Sequence, residues 1–461
     1  MYFDSHCHLA FEEFESDIDD VLKRASEKNI RIITSGDSPE GSRKVISLVK
    51  EKRKTHPHLY ATAGFHPYGA DLFSPSLIDD YSKMLKDDVV VGLGEVGLDY
   101  YRKNAAPENQ RSAFRRFLEL SVREDVPLVI HNRNSEEDLI RILEESGRQA
   151  FRGVIHCFSS GNRDHARAFL KKGFMISFAG QVTFTKADNV RDAVLSIPLN
   201  SLLIETDAPY LAPQEKRGKR NEPSYVVYTA EKIAKLRGFF KEDIGRITHL
   251  NALKLFRIED KDAFSPRAVY RVRDSLYINL TNRCPNRCAF CMKQKDHLVL
   301  GYNLKLEKEP DADDIIKGVE KEKGFREIVF CGLGEPSCRL DVLKKLGKHF
   351  KEKGHMVRLN TNGLGSLINR RNIVSELKDA VDAVSVSLNA HDNSTYIRLC
   401  CPEYGERSFE AVLDFIREAS MIMPTKVTVV DNAQVNVEKC RKILENLNVS
   451  FRVREEYYKE I

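Results

Sequence analysis

The amino-acid sequence predicts an α/β protein in which an N-terminal (β/α)8 barrel of the TIM type is followed by a partial (β/α)6 barrel. Two observations favour this fold class. Short apolar runs alternate with amphipathic stretches along the whole chain, which is typical of parallel strands connected by helices. The first part of the chain holds eight such units, and eight units in about 250 residues is the usual size of a closed parallel barrel.

The strands of the first barrel are predicted from eight short apolar runs. Most of the runs are followed by a stretch long enough for a helix, and we assign residues 1–257 to this domain. The runs are YFDSHCHL (2–9), RIITSG (31–36), LYATAGFHP (59–67), VVVGLGEVGLD (89–99), PLVIHNR (127–133), GVIHCFS (153–159), FMISFAG (174–180) and SLLIETDAP (201–209).

A polar stretch, residues 258–274, is predicted to be a linker between two domains. The alternation resumes after it, and the second domain is predicted over 275–461. Six strand runs in this smaller domain indicate an open, partial barrel. They are SLYINLT (275–281), EIVFCGLG (327–334), MVRLNTNG (356–363), AVSVSLN (383–389), TKVTVVD (425–431) and VSFRVRE (449–455).

The composition is that of an ordinary globular protein. The chain has 461 residues, of which 42% are hydrophobic, and its formal net charge of +5 does not by itself indicate a nucleic-acid partner. No apolar run approaches the ~18 residues of a membrane span, and the N-terminus lacks the basic and apolar regions of a signal peptide. We therefore expect a cytoplasmic protein whose ten cysteines are ligands or free thiols and not disulfides.

Ligand-type residues fall at the predicted ends of the first-barrel strands, where the active sites of parallel barrels form. Imidazoles and carboxylates together suit zinc, manganese or magnesium, and six of them are enough for two ions bridged by one carboxylate. Such a pair of ions lowers the pKa of a bound water and clamps a phosphate or carbonyl oxygen. The predicted metal ligands are His6, His8, Glu95, His131, His156 and Asp207, of which Glu95 and Asp207 are also predicted to be catalytic.

Three cysteines of the second domain, Cys284, Cys288 and Cys291, form a C-x3-C-x2-C motif. Three thiolates can hold three irons of a four-iron cluster and leave the fourth iron open for a further ligand. A structural zinc site would need a fourth ligand and usually contains C-x2-C pairs, so we predict a 4Fe-4S cluster. The other cysteines of this domain, favoured as buried or free thiols, are Cys331, Cys338, Cys400, Cys401 and Cys440.

Glycines and polar residues at the ends of the following strands could bind a cofactor. In CGLGEPSC the glycines permit a close backbone approach, and Glu335 could pair with an ammonium group. Polar residues in LNTNG and SVSLNA could bind a ribose or could equally cap turns. In the first domain a basic loop could bind phosphate or could equally be a solvated loop; its residues are Lys216, Arg217, Lys219 and Arg220.

Residues 1–257 resemble the TatD family of metal-dependent hydrolases. The resemblance rests on DSHCHL, GFHP, GEVGLDYYR, VIHNR, HCFSSG, ETDAPYL and GKRNEP. It implies one metal at His6, His8 and Asp207 and a second at His131 and His156, with Glu95 as the bridge. It also implies nuclease or phosphoesterase activity and a substrate pocket that includes His66, Arg133 and Asn221.

Residues 275–455 resemble the radical S-adenosylmethionine (radical SAM) superfamily, through the cysteine triplet and through GLGEP, although GGE is the commoner form of the latter. The resemblance implies that the open iron chelates S-adenosylmethionine and that one electron from the cluster cleaves its carbon–sulfur bond. It also implies a flavodoxin- or ferredoxin-type electron donor. The expected cofactor-binding residues are Phe290, Gly332, Gly334, Glu335, Pro336, Asn362, Ser387 and Asn389.

The two resemblances together, with SLNA followed by TYIRLCCPEYG, are similar to the TatD-linked radical SAM proteins. The leading hypothesis is a bifunctional enzyme that hydrolyses phosphoester bonds in the first barrel, possible nucleic acid among them, and generates a 5′-deoxyadenosyl radical in the second. The alternative is a redox-sensing iron–sulfur binding protein with a non-catalytic or regulatory barrel. The complete ligand set and the cofactor strand after the cluster motif argue against that alternative.

Overall fold

The computed structural model describes residues 1–455, which fall into two compact units that divide between Asp260 and Lys261. Residues 456–461, part of the predicted second domain, lie outside the described residues. Each unit has a hydrophobic core of its own. Within the described part of the chain, no helix is long and apolar enough to cross a membrane.

The first unit is an eight-stranded sheet whose strands follow one another in chain order and pair in parallel throughout, as the sequence predicts. Helices follow most of the strands. The strands are β1 (Tyr2–Cys7), β2 (Ile30–Ser35), β3 (Leu59–Ala63), β4 (Val90–Asp99), β5 (Leu128–Arg133), β6 (Gly153–Ile155), β7 (Phe174–Phe178) and β8 (Leu202–Ile204). The helices are α1 (Ile18–Glu27), α2 (Pro39–Lys52), α3 (Leu77–Met84), α4 (Pro107–Glu124), α5 (Glu136–Glu145), α6 (Arg163–Lys171), α7 (Asp188–Ser196), α8 (Val226–Arg237) and α9 (Lys241–Leu255).

These helices form where local chemistry and the apolar pattern agree. Helix α2 begins with Pro39 at its first position and with Ser38 as its N-cap, whose side chain accepts a hydrogen bond from the Gly41 amide. The longer α4 buries Phe114 and Phe117 on one face, at the spacing of a helix side that packs onto a sheet.

Backbone hydrogen bonds beyond the strand ends join the first and last strands. The Asp207 amide donates to the His6 carbonyl at 2.9 Å, and the His8 amide donates to the Ala208 carbonyl at 2.7 Å. The same segments therefore hold this edge of the barrel together and carry three of the predicted metal ligands.

Three predicted strands differ from the observed ones in ways that matter for the site. Strands β6 and β8 are three residues long, and the chain leaves the sheet before His156 and Asp207, with left-handed backbone at Cys157 (φ 47°) and at Asp207 (φ 56°). Those two ligands therefore lie on loops. Glu95 was predicted at the end of its strand but lies within β4, where the pairing register shifts between Leu93 and Val96.

The second unit is a seven-stranded sheet in which six strands run parallel, as predicted, and one edge strand is antiparallel. The strand order is β17-β16-β15-β14-β13-β10-β9. The strands are β9 (Val269–Val272), β10 (Ser275–Ile278), a short hairpin of β11 (Leu298–Val299) and β12 (Tyr302–Asn303), β13 (Glu327–Phe330), β14 (Met356–Thr361), β15 (Ala383–Ser387), β16 (Thr425–Asp431) and β17 (Val449–Glu455). The helices are α10 (Ala312–Glu320), α11 (Leu340–Glu352), α12 (Gly365–Asn369), α13 (Val374–Leu377), α14 (Asn393–Cys400), α15 (Arg407–Ile422) and α16 (Val437–Ile443).

The segment predicted as a linker, 258–274, differs from that prediction because it contains β9. This strand pairs with β10 across a tight turn, with Val272 opposite Ser275. The polar sequence RVRDS does not look like a strand, but an edge strand needs only one buried face. Tyr270, which is 5% exposed, provides the buried side chain of that face.

The two faces of the second sheet differ in polarity. Alternate residues such as Val384, Val386, Val427 and Val429 belong to the core beneath the helices. Because strand side chains alternate between faces, the opposite face carries the residues in between. On β14 to β17 these are the polar Arg358, Asn360, Ser385, Ser387, Lys426, Thr428, Ser450, Arg452 and Arg454 and the apolar Met356, Ala383 and Val430.

Candidate functional site

Four side chains of the first barrel converge on one point. The Nε2 atoms of His6 and His8 lie 3.2 Å apart, 3.7 and 3.5 Å from Asp207 Oδ1, and 3.5 and 3.6 Å from Glu95 Oε2. An ion held tetrahedrally at about 2.0–2.2 Å from its ligands needs neighbouring donors about 3.3–3.6 Å apart. The donors already lie at the spacing that one such ion requires.

A second set surrounds the other oxygen of the same carboxylate. Glu95 Oε1 lies 2.6 Å from His131 Nδ1 and 2.8 Å from His156 Nε2, and these two nitrogens are 3.3 Å apart. His66 Nε2 lies 3.6 Å from the same oxygen. Glu95 therefore turns one oxygen towards each set, which is the arrangement of a bridging ligand, and His66 is placed close enough to contribute to the second set.

The imidazoles of the predicted ligands also contact a second set of groups, which the sequence did not indicate, through their other ring nitrogens. Ser35 contacts His6 Nδ1 through its hydroxyl at 3.0 Å and His8 Nδ1 through its carbonyl at 3.3 Å. Asp99 Oδ2 lies 3.0 Å from His131 Nε2, and Glu205 Oε1 lies 3.4 Å from His156 Nδ1. Partners of this kind fix the tautomer and the orientation of metal-binding histidines.

The electrostatics of the cluster favour ionised carboxylates beside imidazoles. Burial opposes ionisation of Glu95, but the imidazoles of His156 and His66 outweigh it and hold the pKa of Glu95 well below its usual range. Burial likewise opposes a charge on His156, but Glu95 and Glu205 raise its pKa well above the usual value. At His66 burial outweighs the charge of Glu95 and lowers the pKa to about 3, so it is a neutral ring. Protons on the neighbouring imidazoles thus compensate the negative charge of the buried Glu95, a task that bound metal ions would otherwise perform.

A cavity of about 1030 Å³ opens over these ligands and provides room for a substrate. His66 and Arg133, predicted to bind substrate, both line it, and the Arg133 guanidinium lies 4.1 Å from the ring centre of Tyr101. Arg102 is a further cation in the wall, and Tyr210, 52% exposed, is an aromatic one.

Asn221 and the basic loop lie away from this cavity. Asn221 is completely buried and donates to the Thr206 and Tyr210 carbonyls at 2.8 and 2.6 Å, so it braces the loop that carries Asp207 and does not face the cavity. The basic loop does not line the cavity either. Arg220 pairs with Asp17 at 2.7 Å, and the remaining members, Lys216, Arg217 and Lys219, lie outside the wall.

In the second unit, the cysteine loop is held by backbone hydrogen bonds at the end of helix α14. The Arg287 amide donates to the Cys400 carbonyl and the Ala289 amide to the Leu399 carbonyl, both at 2.9 Å. Cys288 lies between these two donors, and the neighbouring Cys400 raises the pKa of the Cys288 thiol. The segment that ends α14 thus positions the middle cysteine of the motif.

The three cysteines of the motif suit a cluster better than a single ion. All three are free and partly buried, yet they do not meet within the 4.8 Å that marks a shared ion site. The three thiols therefore do not converge on one point in the described structure. Burial raises the pKa of Cys284 to about 12 and also raises that of Cys291, so these thiolates need a cationic partner in order to form. The five other cysteines of the unit are free thiols as well, with Cys400 and Cys440 buried.

Two glycines that follow β13, predicted to bind a cofactor, are needed for packing within the protein. A side chain at Gly334 would meet the carbonyl oxygens of Thr281 and Arg283 at 2.3 and 2.5 Å, and one at Gly332 would meet Asn279 Oδ1. These glycines allow β13 to lie against the segment that enters the cysteine loop.

Glu335 was predicted to pair with an ammonium group, but its carboxylate is directed into the protein. It is 3% exposed and accepts hydrogen bonds from the Ser337 and Thr361 hydroxyls at 2.7 and 2.8 Å and from the Asn362 amide at 2.7 Å. A buried carboxylate needs such partners, and here they tie β13 to the end of β14. Pro336, also buried, begins the turn that follows.

The remaining predicted cofactor residues lie along one line beside the cysteine loop. Asn362 Nδ2 lies 3.7 Å from Cys284 Sγ, and Asn362 and Ser387 directly follow the last register pair of β14 and β15, Thr361 and Val386. Asn389 is buried, and its side-chain oxygen lacks a hydrogen-bond partner among the described residues, so it is suited to a ligand donor. Phe290 packs partly buried against the core.

The fold and the first site together define a metal-dependent hydrolase barrel, and comparison with known proteins identifies its family. The family model "TatD related DNase" matches residues 3–257, more than half of the chain, and the radical SAM superfamily model matches residues 278–445. The chain therefore belongs to the TatD family, and its hydrolase domain is followed in the sequence by a radical SAM domain.

Individual relatives agree with this assignment. The chain is 40% identical over 259 residues to "Uncharacterized metal-dependent hydrolase YabD" of Bacillus subtilis, covering 56% of this chain and 100% of that protein. It is 31% identical over 262 residues to "3'-5' ssDNA/RNA exonuclease TatD" of Salmonella typhimurium, covering 56% and 99%. Among solved structures, YJJV, a TatD homolog from Escherichia coli, matches 56% of this chain and 98% of its own with 29% identity and a TM-score of 0.52.

Proposed function

We propose that the first unit hydrolyses phosphoester bonds with two divalent metal ions. The observation that carries this proposal is the Glu95 carboxylate, which directs one oxygen to the His6, His8 and Asp207 set and the other to the His131 and His156 set. When bound, a pair of ions at such a site activates water and polarises a phosphoryl oxygen.

The protein's own groups perform the remaining tasks in this proposal. Asp207 lines the cavity, directs Oδ1 to His6 and His8, and carries a second oxygen that can accept the proton of the attacking water. The hydrogen bonds of its neighbouring imidazoles favour the ionised carboxylate against burial, and the pKa of Asp207 is lowered. Arg133 and Arg102 in the cavity wall supply positive charge for a phosphodiester.

Nucleic acid is the substrate class that we favour for this site. The Salmonella relative at 31% identity is named a single-stranded DNA and RNA exonuclease, and the cavity wall combines arginines with aromatic rings, which suits a phosphate backbone and its bases. The test is hydrolysis of a 3′-labelled single-stranded oligonucleotide by metal-loaded protein. We expect Glu95→Gln to abolish it, whereas Arg417→Gln, on α15 of the second unit, leaves it unchanged.

We further propose that the second unit cleaves S-adenosylmethionine reductively. The loop holding Cys284, Cys288 and Cys291 supports this proposal because its thiols are free, separated and desolvated. When bound, the 4Fe-4S cluster supplies the electron that breaks the carbon–sulfur bond, yielding methionine and a 5′-deoxyadenosyl radical. Asn362, beside Cys284, and the unpartnered oxygen of Asn389 would orient the cofactor.

The experiment for this half is anaerobic reconstitution, reduction and measurement of 5′-deoxyadenosine. We expect 5′-deoxyadenosine release to disappear in Cys288→Ala and to persist in Glu95→Gln. This result would support two separate activities on one chain. A full cluster, by iron and sulfide content, without any release would favour the alternative, a hydrolase with a redox-sensing appendage. A flavodoxin- or ferredoxin-type protein is the proposed physiological electron donor and would replace the chemical reductant in the same assay.

A further inference from the structure

The uncovered face of the second sheet is positively charged. On β14 to β17, the positions that alternate with the core valines include four cations, Arg358, Lys426, Arg452 and Arg454. Arg358 is neutralised by Glu327, which it contacts at 2.7 and 3.0 Å. Within residues 1–454, whose side chains the structure describes, no carboxylate forms an ion pair with Lys426, Arg452 or Arg454.

The sheet curves so that this face is concave. Strands β13 and β17 are four strand spacings apart, which would separate them by about 19 Å in a flat sheet. Nevertheless the Arg454 guanidinium interacts electrostatically with the Cys331 thiol, the residue directly after β13. Arg454 therefore points across the concave face and not away from it.

Arg454 lies on the line of polar residues that leads to the cysteine loop. Its Nη2 atom lies 3.5 Å from the Ser387 hydroxyl. Ser387 and Asn362 directly follow the last register pair of β15 and β14, Val386 and Thr361, and Asn362 contacts Cys284. Arg454 is accessible to solvent, yet enough protein surrounds it for burial to lower its pKa. Accessibility combined with desolvation is typical of the wall of a cleft.

We propose that this concave face binds an oxyanion, a carboxylate or a phosphate, of the molecule on which the radical acts, and that Arg454 is its principal contact. A guanidinium binds such groups with two parallel hydrogen bonds, and Ser387 beside it can donate a third. Unpaired cations in a cleft also raise the local concentration of anionic ligands. The proposal rests on the radical function proposed above, and it narrows the substrate to anionic compounds.

The test uses the full chain with its cluster reconstituted and with His8→Ala and His131→Ala, which remove one ligand from each of the two barrel metal positions and thereby phosphate binding there. Inorganic phosphate is titrated calorimetrically at constant ionic strength. We expect measurable binding that weakens about tenfold or more in Arg454→Gln and less in Arg454→Lys. Arg417→Gln makes the same charge change on α15, where Arg417 pairs with Glu410 and Asp414, and is expected to bind phosphate as the parent does. Iron and sulfide content verifies that each variant is folded around its cluster.

Two results would overturn the proposal directly: no phosphate binding by the parent, or equal weakening in the Arg454 and Arg417 variants. A further experiment tests whether the bound oxyanion is the carboxylate of S-adenosylmethionine, which is the other source of such a group at this face. Phosphate affinity that is unchanged by saturating S-adenosylmethionine supports a separate ligand, whereas displacement assigns Arg454 to the cofactor and refutes the inference. A chain that binds phosphate through Arg454 but never releases 5′-deoxyadenosine would refute the radical function and keep the anion site.

Discussion

Replacing Asp99 by asparagine should weaken the second metal position without unfolding the barrel. Asp99 Oδ1 accepts the backbone amides of Tyr101 and Arg102, both at 2.9 Å, whereas Oδ2 faces His131 Nε2 at 3.0 Å and the Tyr68 hydroxyl at 3.1 Å. The two backbone donors will keep the oxygen of the asparagine amide on their side. Its NH2 group must then face the His131 N–H, another donor, whereas the Tyr68 hydroxyl can rotate to accept.

This clash acts on the metal through the tautomer of His131. To relieve it, the ring must present an unprotonated Nε2 to the amide, which places the proton on Nδ1, the atom that faces Glu95 and the second ion position. The lost hydrogen bond to a charged group is worth about 1.5–3 kcal/mol. At ~1.4 kcal/mol per tenfold, this is about 10–100-fold in affinity, the range usual for groups that orient metal ligands.

The assay is titration of the metal-free chain with Mn²⁺, with the free ion counted by electron paramagnetic resonance. A Cys288→Ala background keeps cluster iron out of the measurement. In Asp99→Asn we expect one of two binding steps to weaken by the factor above and oligonucleotide hydrolysis to fall with it. Asp71→Asn is the matched control, because this exposed carboxylate also accepts a backbone amide, from Ala106 at 3.0 Å, but lies outside the cavity wall. Two Mn²⁺ steps of parental affinity in Asp99→Asn would show that the tautomer argument is wrong.

Three further changes test other parts of the molecule. Cys288→Ala should lower bound iron and reduce 5′-deoxyadenosine release to background while oligonucleotide hydrolysis stays at the parental rate; loss of both activities would indicate coupled units. Gly334→Ala should destabilise the second unit by roughly 1–3 kcal/mol in calorimetry and lower iron content, since its Cβ would lie 2.3 Å from the Thr281 carbonyl oxygen. His249, whose pKa burial lowers to about 4, binds a proton more tightly unfolded than folded, so stability should fall by about 3 kcal/mol as pH drops from 6.5 to 4. His249→Gln should flatten that slope in calorimetric scans, and an unchanged slope would assign the acid sensitivity elsewhere.

The sequence predicts the parallel barrel and the convergence of its ligand residues because both depend on local patterns. Apolar runs mark the strands, and parallel strands deliver their following residues to one rim. The pattern does not reveal where a strand stops. His156 and Asp207 lie on loops after strands of three residues, because the chain turns through left-handed conformations there.

Roles that depend on hydrogen-bond partners far along the chain could not be predicted. Asn221 belongs to a motif and was therefore predicted to bind substrate, but its partners are carbonyl groups of the loop that begins fifteen residues earlier. Glu335 is directed inward by hydroxyls and an amide contributed by other segments. Asp99 and Glu205 stand inside the quoted motifs GEVGLDYYR and ETDAPYL, and a carboxylate near each histidine was the signal that could have found them.

Two of the hydrogen bonds that attach the cysteine loop to helix α14 use main-chain atoms alone, and this has a consequence for sequence variation. The donors are the amides of Arg287 and Ala289, so the identity of their side chains contributes nothing to the two bonds. The residues at these two positions can therefore vary among homologous loops while the spacing of the cysteines stays fixed. Proline is the exception, because it lacks the amide hydrogen. A chain with proline at either position would keep a perfect cysteine motif and lose the anchor that sets its geometry.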